Sequence, residues 1–292
     1  MTIETIGFIG LGVMGLPICR NILRKSGARM LVYEPREEAR EQALALGAEA
    51  AASVADVSAQ ADLVFTCLPG ESQLRDVIFG DGGLAHTMKR GSTLVDLSTA
   101  PVDFAREAAA ALEARGIDFA DAPIARTRQA AEDGTLSITV GAASDVFARI
   151  EPVLSHTATD VTHCGPVGCG QVVKLMNNMV LVQTVVALSE ARAIARRAGV
   201  APAMLFDALG KGSADSFALR NHGMKAIVPE LFPDRAFSTD YALKDLAYAL
   251  RLARQMGVDA KGAELAETTL QRSRAAGNAE RYWPALAQVV DE

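Results

Sequence analysis

The sequence predicts a doubly wound, mostly parallel α/β domain over residues 1–165, followed by an all-α domain over residues 166–292. Three observations carry this. Short apolar, β-rich runs alternate with helical patterns from Thr5 to His163, as in a parallel sheet covered by helices on both faces. Beyond Gly170 the texture changes, and only helical patterns follow. Between the two lies a stretch over about residues 170–197, GQVVKLMNNMVLVQTVVALSEARAIARR, with no proline and no glycine after Gly170. A Gly/Pro-rich lead-in precedes it, and Gly199 and Pro202 follow, which are start and stop signals for one long helix. At 1.5 Å per residue it would extend roughly 40 Å, long enough to join two domains.

In chain order, residues 5–9 read as a strand running into Gly10-Leu11-Gly12-Val13-Met14-Gly15 and then a helix over 16–26. This is GxGxxG in the strand–turn–helix setting that a dinucleotide pyrophosphate requires. Gly10 permits the tight turn, Gly12 lets the backbone approach the phosphates, and Gly15 lets helix and strand pack closely. The phosphates would sit on the free amides of the helix N-terminus. A second strand over 29–33 ends in Glu34, placed to take both adenosine ribose hydroxyls and to repel a 2′-phosphate. That favours NAD; NADP is the second choice, because Arg36 could hold a 2′-phosphate. Glu34 could also simply open a solvated helix. Helices are expected over 36–46, 53–59, 72–79, 103–115 and 145–154, the last with Ser144 as N-cap. Strands are expected over 63–68, 93–97, 119–122, 136–140 and 161–163. After the long helix, residues 202–210, 216–226, 241–256, 262–276 and 282–290 read as helices.

The long helix is apolar on nearly every face in its middle, so it is expected to be buried all round. Into it the sequence sets Gln171, Lys174, Asn177 and Asn178 at spacings of three and four, a local polar patch on its first two turns. A lysine there with no carboxylate one turn away is costly unless the patch lines a wet cleft or holds a ligand. A snorkelling lysine beside solvated asparagines is the competing reading. Lys244 is a further cation, or else a solvated helix lysine. Ser98-Thr99 and the segment 121–127 stand at strand ends that would face a nucleotide.

Bulk properties narrow the classes. The 292 residues are 50% hydrophobic, carry a net charge of −6 and contain no basic run, so nucleic acid is not an expected partner. Neither a secretory signal pattern nor an apolar run free of polar breaks at spanning length is evident, so a cytoplasmic protein with no membrane partner is expected. Four scattered cysteines, without CxxC, suggest reduced thiols, and no metal set stands out.

Four motifs in order, GFIGLGVMG from Gly7, DLST from Asp96, DAPIARTRQAAEDGTLSITVGA from Asp121 and GxxGxxxxxKxxNN from Gly165 to Asn178, resemble those of the β-hydroxyacid dehydrogenase family over essentially the whole chain. The family includes 3-hydroxyisobutyrate dehydrogenase and tartronate semialdehyde reductase. The resemblance implies a Rossmann, 6-phosphogluconate dehydrogenase-like nucleotide domain, a long interdomain helix, and an all-α domain forming a homodimer or homotetramer interface. It implies that Lys174 is the general acid/base and Asn178 its hydrogen-bonding companion, with Asn177 beside the substrate. Leu68 and Pro69 would line the cofactor, Thr99 would contact cofactor or substrate, and Lys244 would lie by the nicotinamide ribose. An amine in an apolar setting beside a cationic ring has its charged form disfavoured, which suits proton exchange near neutrality.

One segment departs from that pattern. Common members carry Ser-Gly-Gly where this chain has Ala125-Arg126-Thr127. The Arg-Thr pair resembles the sulfolactaldehyde reductase branch, whose loop carries Gly-Arg-Thr. A guanidinium offers several donors in a fixed fork for an oxyanion, so a short anionic substrate is expected, sulfonate or carboxylate. Alternatively Arg126 turns outward and backbone amides grip the anion. Two rivals are kept: an imine reductase, against which Lys174 argues, and a non-catalytic dinucleotide-binding module.

Overall fold

The computed structural model describes residues 3–234 and 236–291. It divides into two compact units, Met1–Lys174 and Leu175–Glu292.

The first unit is built on one sheet of nine strands among the described residues. These are β1 (Thr5–Ile9), β2 (Arg29–Tyr33), β3 (Glu49–Ala50), β4 (Leu63–Thr66), β5 (Thr93–Asp96), β6 (Asp118–Asp121), β7 (Ile124–Ala125), β8 (Leu136–Gly141) and β9 (Ala158–Gly165). The spatial order is β3-β2-β1-β4-β5-β6-β8-β7, with β9 pairing β8. The first six strands are parallel in the 3-2-1-4-5-6 order of a Rossmann sheet, with its switch point between β1 and β4. β8 turns back antiparallel against β6 and β7, while β9 runs parallel to β8. Helices α1 (Gly15–Ser26), α2 (Glu37–Leu44), α3 (Val54–Gln60), α4 (Glu71–Phe79), α5 (Leu84–Thr87), α6 (Val102–Glu113), α7 (Arg128–Asp133) and α8 (Ser144–Leu154) connect them.

Period-two alternation decides which face each strand residue joins. Ile6, Phe8, Leu63, Phe65 and Val95 enter one core with Ile18 and Ile22 of α1. Ile9, Val64, Leu94 and Phe119 enter the other with Val57, Leu74 and Phe104. Both faces are therefore covered, and each fully buried large side chain contributes about 1.5–3 kcal/mol.

The long helix is α9 (Cys169–Arg197). Its apolar composition meets, by length and hydropathy alone, the measure of a membrane span, a measure that core helices also meet. The expectation of burial all round is corrected. Leu175, Val182, Val185, Val186 and Leu188 are buried, but Val173, Val180 and Ile194 are 43%, 58% and 69% exposed. The second unit also contains α10 (Pro202–Leu209), a π-helical segment Leu219–Ile227, α11 (Thr239–Gln255), α12 (Lys261–Ser273) and α13 (Leu286–Val290). Its core gathers Val182, Val185, Phe206, Leu246, Leu270 and Trp283.

Smaller differences from the sequence expectation have local causes. The strands β3 and β7 and the helices α5 and α7 were not expected; the two strands are two residues each, defined by their partners rather than their own composition. Ser144 is not the N-cap of α8: Ala143 holds that position, and no side chain caps the helix. The expected helix over 216–226 takes π geometry for most of its length.

Candidate active site

β1 delivers the chain into the glycine turn. Gly10 has φ +95° and donates to the Tyr33 carbonyl at 3.2 Å. A Cβ there would stand 2.4 Å from the Cys67 carbonyl oxygen, and one on Gly15 would stand 2.0 Å from the Gly10 oxygen. Both positions therefore exclude any side chain. Gly12 differs: its nearest neighbour, Arg36, is 3.9 Å away, so a Cβ would project into open space above the turn. Met14 stands at the N-cap of α1 without a side-chain cap, and Val13 beside it is exposed. No acidic residue occupies the first turn. An uncapped helix N-terminus behind a bare backbone fits a pyrophosphate, in charge and in room.

Glu34 follows β2 and is only 4% exposed. Its carboxylate accepts from the Leu11 amide at 2.8 Å, from the Arg36 amide at 3.0 Å and from the Arg36 guanidinium at 2.8 and 3.0 Å. Burial pushes this carboxyl upward, but these hydrogen bonds outweigh it and hold it below its usual range. Glu34 thus fastens Leu11 and Arg36 at the mouth of the turn.

The carboxyl ends of β4, β5 and β6 carry a buried polar chain. Asp96 accepts from the Thr66 hydroxyl at 2.8 Å and from the Ser98 amide at 3.0 Å. Ser98 Oγ accepts from the Leu68 amide at 2.9 Å, fixing the 68–69 segment beside residues 98–99. Asp121, fully buried, accepts from the amides of Gly168 (2.6 Å) and Gln171 (2.7 Å) at the start of α9. Burial raises the Asp121 carboxyl to about 6, against the pull of the two amides. The half-buried Lys174 lies in the turn that follows.

Ala125 pairs with Ser137 in β7–β8. Arg126 takes φ +83°, a conformation rare outside glycine. Its guanidinium donates to the Thr135 carbonyl (2.6 Å), the Thr159 hydroxyl (2.8 Å) and Asp160 (2.6 Å). The arginine expected to face an anion is therefore engaged by β9 and by the residue that leads into β8. Thr127 caps α7, its hydroxyl accepting from the Ala130 amide at 3.3 Å.

In the second unit, Asn178 is buried and donates to Asp245 at 2.7 Å, while exposed Asn177 donates to Asn178 Oδ1 at 3.1 Å. A carboxylate can only accept, so this pairing fixes which way the Asn178 amide faces. Lys244 lies 3.2 Å from Asp245 and 5.0 and 5.7 Å from the ring centroids of Tyr241 and Tyr248. The sequence reading missed the roles of Asp121, Gln171 and Asp245. Tyr241, Lys244 and Tyr248 at spacings of three and four were a readable signal of the ring contacts. Among the described residues, no group of three His, Cys, Asp or Glu side chains could hold a metal ion.

Comparison with known proteins gives this arrangement its relatives. Residues 5–165 match the NAD binding domain of 6-phosphogluconate dehydrogenase, and residues 168–290 match the NAD-binding domain of NADP-dependent 3-hydroxyisobutyrate dehydrogenase. The chain is 33% identical over 287 residues to 2-(hydroxymethyl)glutarate dehydrogenase of Eubacterium barkeri, covering 98% of this chain and 95% of that one. It is 31% identical over 287 residues to 2-hydroxy-3-oxopropionate reductase of Escherichia coli K12, covering 98% and 97%. A Mycobacterium tuberculosis 3-hydroxyisobutyrate dehydrogenase structure with L-serine superposes with a TM-score of 0.91 at 29% identity, covering 99% and 100%.

Proposed function

The chain belongs to the β-hydroxyacid dehydrogenase family of NAD(P)-binding oxidoreductases, and on that premise we propose that it interconverts a small anionic β-hydroxy acid and its semialdehyde. The observation that carries this reading is Lys174 on the first turns of α9, one turn before the buried, oriented Asn178. Bound NAD(P) supplies the hydride acceptor or donor, and Glu34 favours NAD. Lys174 takes the proton from the substrate hydroxyl during oxidation and returns it to the carbonyl oxygen during reduction. Asn178 holds that oxygen, with Asn177 beside it. Gly10 to Gly15 seat the pyrophosphate; Leu68, Pro69, Thr99 and Lys244 complete the cofactor surface. The substrate anion lies on the loop Ala125-Arg126-Thr127.

A sulfonate is the second reading, favoured by the guanidinium and hydroxyl that Arg126 and Thr127 bring to this loop. Arg126 is bonded to Thr135, Thr159 and Asp160, so an anion would have to draw the guanidinium from Asp160. The exposed Val180 and Ile194 support a homodimer or homotetramer, which sedimentation would detect and a monomer would refute.

A panel tests substrate class. Oxidation of 3-hydroxyisobutyrate, L-serine and 2-(hydroxymethyl)glutarate, and reduction of 2-hydroxy-3-oxopropionate and a sulfonate aldehyde, are each followed at the dinucleotide's absorbance. Turnover of a β-hydroxy acid or its semialdehyde is expected. Arg126→Ala should then raise KM by roughly ten- to a hundred-fold for a sulfonate, the loss of a charged hydrogen bond. An unchanged KM places that anion elsewhere.

A further inference from the structure

Gln171 is joined to two separate segments of the first unit. Its amide donates to Asp121, which also takes the Gly168 amide, so one carboxylate closes the N-terminal turn of α9. Its side chain spans the 98–100 turn from both sides: Nε2 donates to the Ser98 carbonyl at 2.8 Å, and Oε1 accepts from the Ala100 amide at 3.1 Å. All four atoms sit in buried surroundings. The helix is also seated tightly. A Cβ on Gly170 would lie 2.5 Å from the Thr139 carbonyl oxygen, and one on Gly141 would lie 2.5 Å from Asp121 Oδ1. The Thr139 hydroxyl donates to the Gly170 carbonyl at 3.1 Å. Neither translation nor rotation of this turn is possible without breaking a buried hydrogen bond.

Lys174 follows Gln171 at helical spacing of three, on the adjoining face. We propose that Gln171, anchored by Asp121, is a positioning residue that sets the rotation of the first turns of α9, and through it the place of the Lys174 amine relative to residues 98–100. This rests on the reading of Lys174 as acid/base. The leverage is geometric: a rotation of about 10° about the axis moves an atom at side-chain radius by roughly 1 Å. A displacement of that size at a reacting group can cost about a hundred-fold in rate. Apolar packing alone would not fix rotation so closely, because it has no direction, whereas the clamp on Ser98 and Ala100 has one geometry.

The test uses Gln171→Met, which removes both side-chain hydrogen bonds at similar length, and Gln171→Glu, which keeps the acceptor for Ala100 and loses the donor to Ser98. Activity is read as oxidation of 3-hydroxyisobutyrate or reduction of 2-hydroxy-3-oxopropionate, whichever the parent turns over faster. Both variants should lose about ten- to a hundred-fold in kcat while NADH affinity stays within about three-fold. A second readout needs no turnover. Reductive methylation with 13C-formaldehyde labels the Lys174 amine, assigned through Lys174→Arg, and its titration midpoint should move in both variants. Should Gln171→Met fail to fold, Gln171→Glu decides alone. Unchanged kcat with an unmoved midpoint overturns the proposal. So does a kcat loss that tracks weakened NADH binding, which would make Gln171 a support of the cofactor segment only. Activity surviving in Lys174→Ala would instead sink the acid/base reading itself, a separate result.

Discussion

The two parts of α9 are held in opposite ways. Residues 169–174 count with the α/β unit and are fixed by directed hydrogen bonds to Asp121, Ser98, Ala100 and Thr139. Residues 175–197 count with the helical unit, where Val182, Val185, Val186 and Leu188 pack against Phe206, Leu246 and Trp283. Hydrogen bonds add little net stability each but specify geometry, whereas apolar burial adds stability without direction. The contrast teaches that one continuous helix can be oriented at one end and stabilised at the other.

The largest expected effect falls on the oriented end. Lys174→Ala should lower kcat by about 10²–10⁴-fold while NADH affinity and melting temperature barely change. A large melting shift would blur the contrast. Leu246→Ala, in the apolar core of the helical unit, should do the reverse: a loss of about 2–5 kcal/mol in urea unfolding, with kcat of the remaining folded enzyme preserved. A smaller loss would mean that this core collapses around the void.

The units also differ in their response to acid. His222, buried and accepting from or donating to the Tyr282 hydroxyl at 2.6 Å, is pushed by burial from 6.5 to about 4. Its folded value lies below the unfolded one, so its contribution is present above pH 6.5 and is lost as pH falls toward 4. Asp121 is raised from 3.8 to about 6, so its contribution is present below 3.8 and is lost as pH rises through about 6. Relative to His222→Asn, the parent should lose on the order of 2 kcal/mol more stability between pH 7 and pH 5. Equal losses would show that burial does not lower the pKa of this ring. The smallest effect is expected at Arg126. Arg126→Gly relieves a left-handed backbone but gives up an exposed ion pair with Asp160, so the urea unfolding midpoint should barely shift. A much larger loss would show the ion pair to be structural.

What the sequence disclosed follows the same divide. Gly10, Gly12, Gly15 and the short strands were legible because their signals are local: a spacing, or a run of apolar, β-rich residues. The helix start at Gly165 to Gly170 was legible for the same reason. Asp121 as the cap of α9 was not, because its partners lie 47 and 50 residues away. The exposure of Val180 and Ile194 was hidden by composition, since an apolar helix reads alike whether or not every face of it is covered. Arg126 showed its chemistry in the sequence, but its backbone angle and its pairing with Asp160 depend on how β9 lies against β8.

Glu34 carries a practical consequence. A redesign that swaps this side chain to welcome a phosphorylated ribose would also unfasten the Leu11 amide and set the Arg36 guanidinium adrift. On the proposed reading, the selectivity lever and the tether of the phosphate seat are one carboxylate, so retuning the first without slackening the second calls for a replacement acceptor at the same reach.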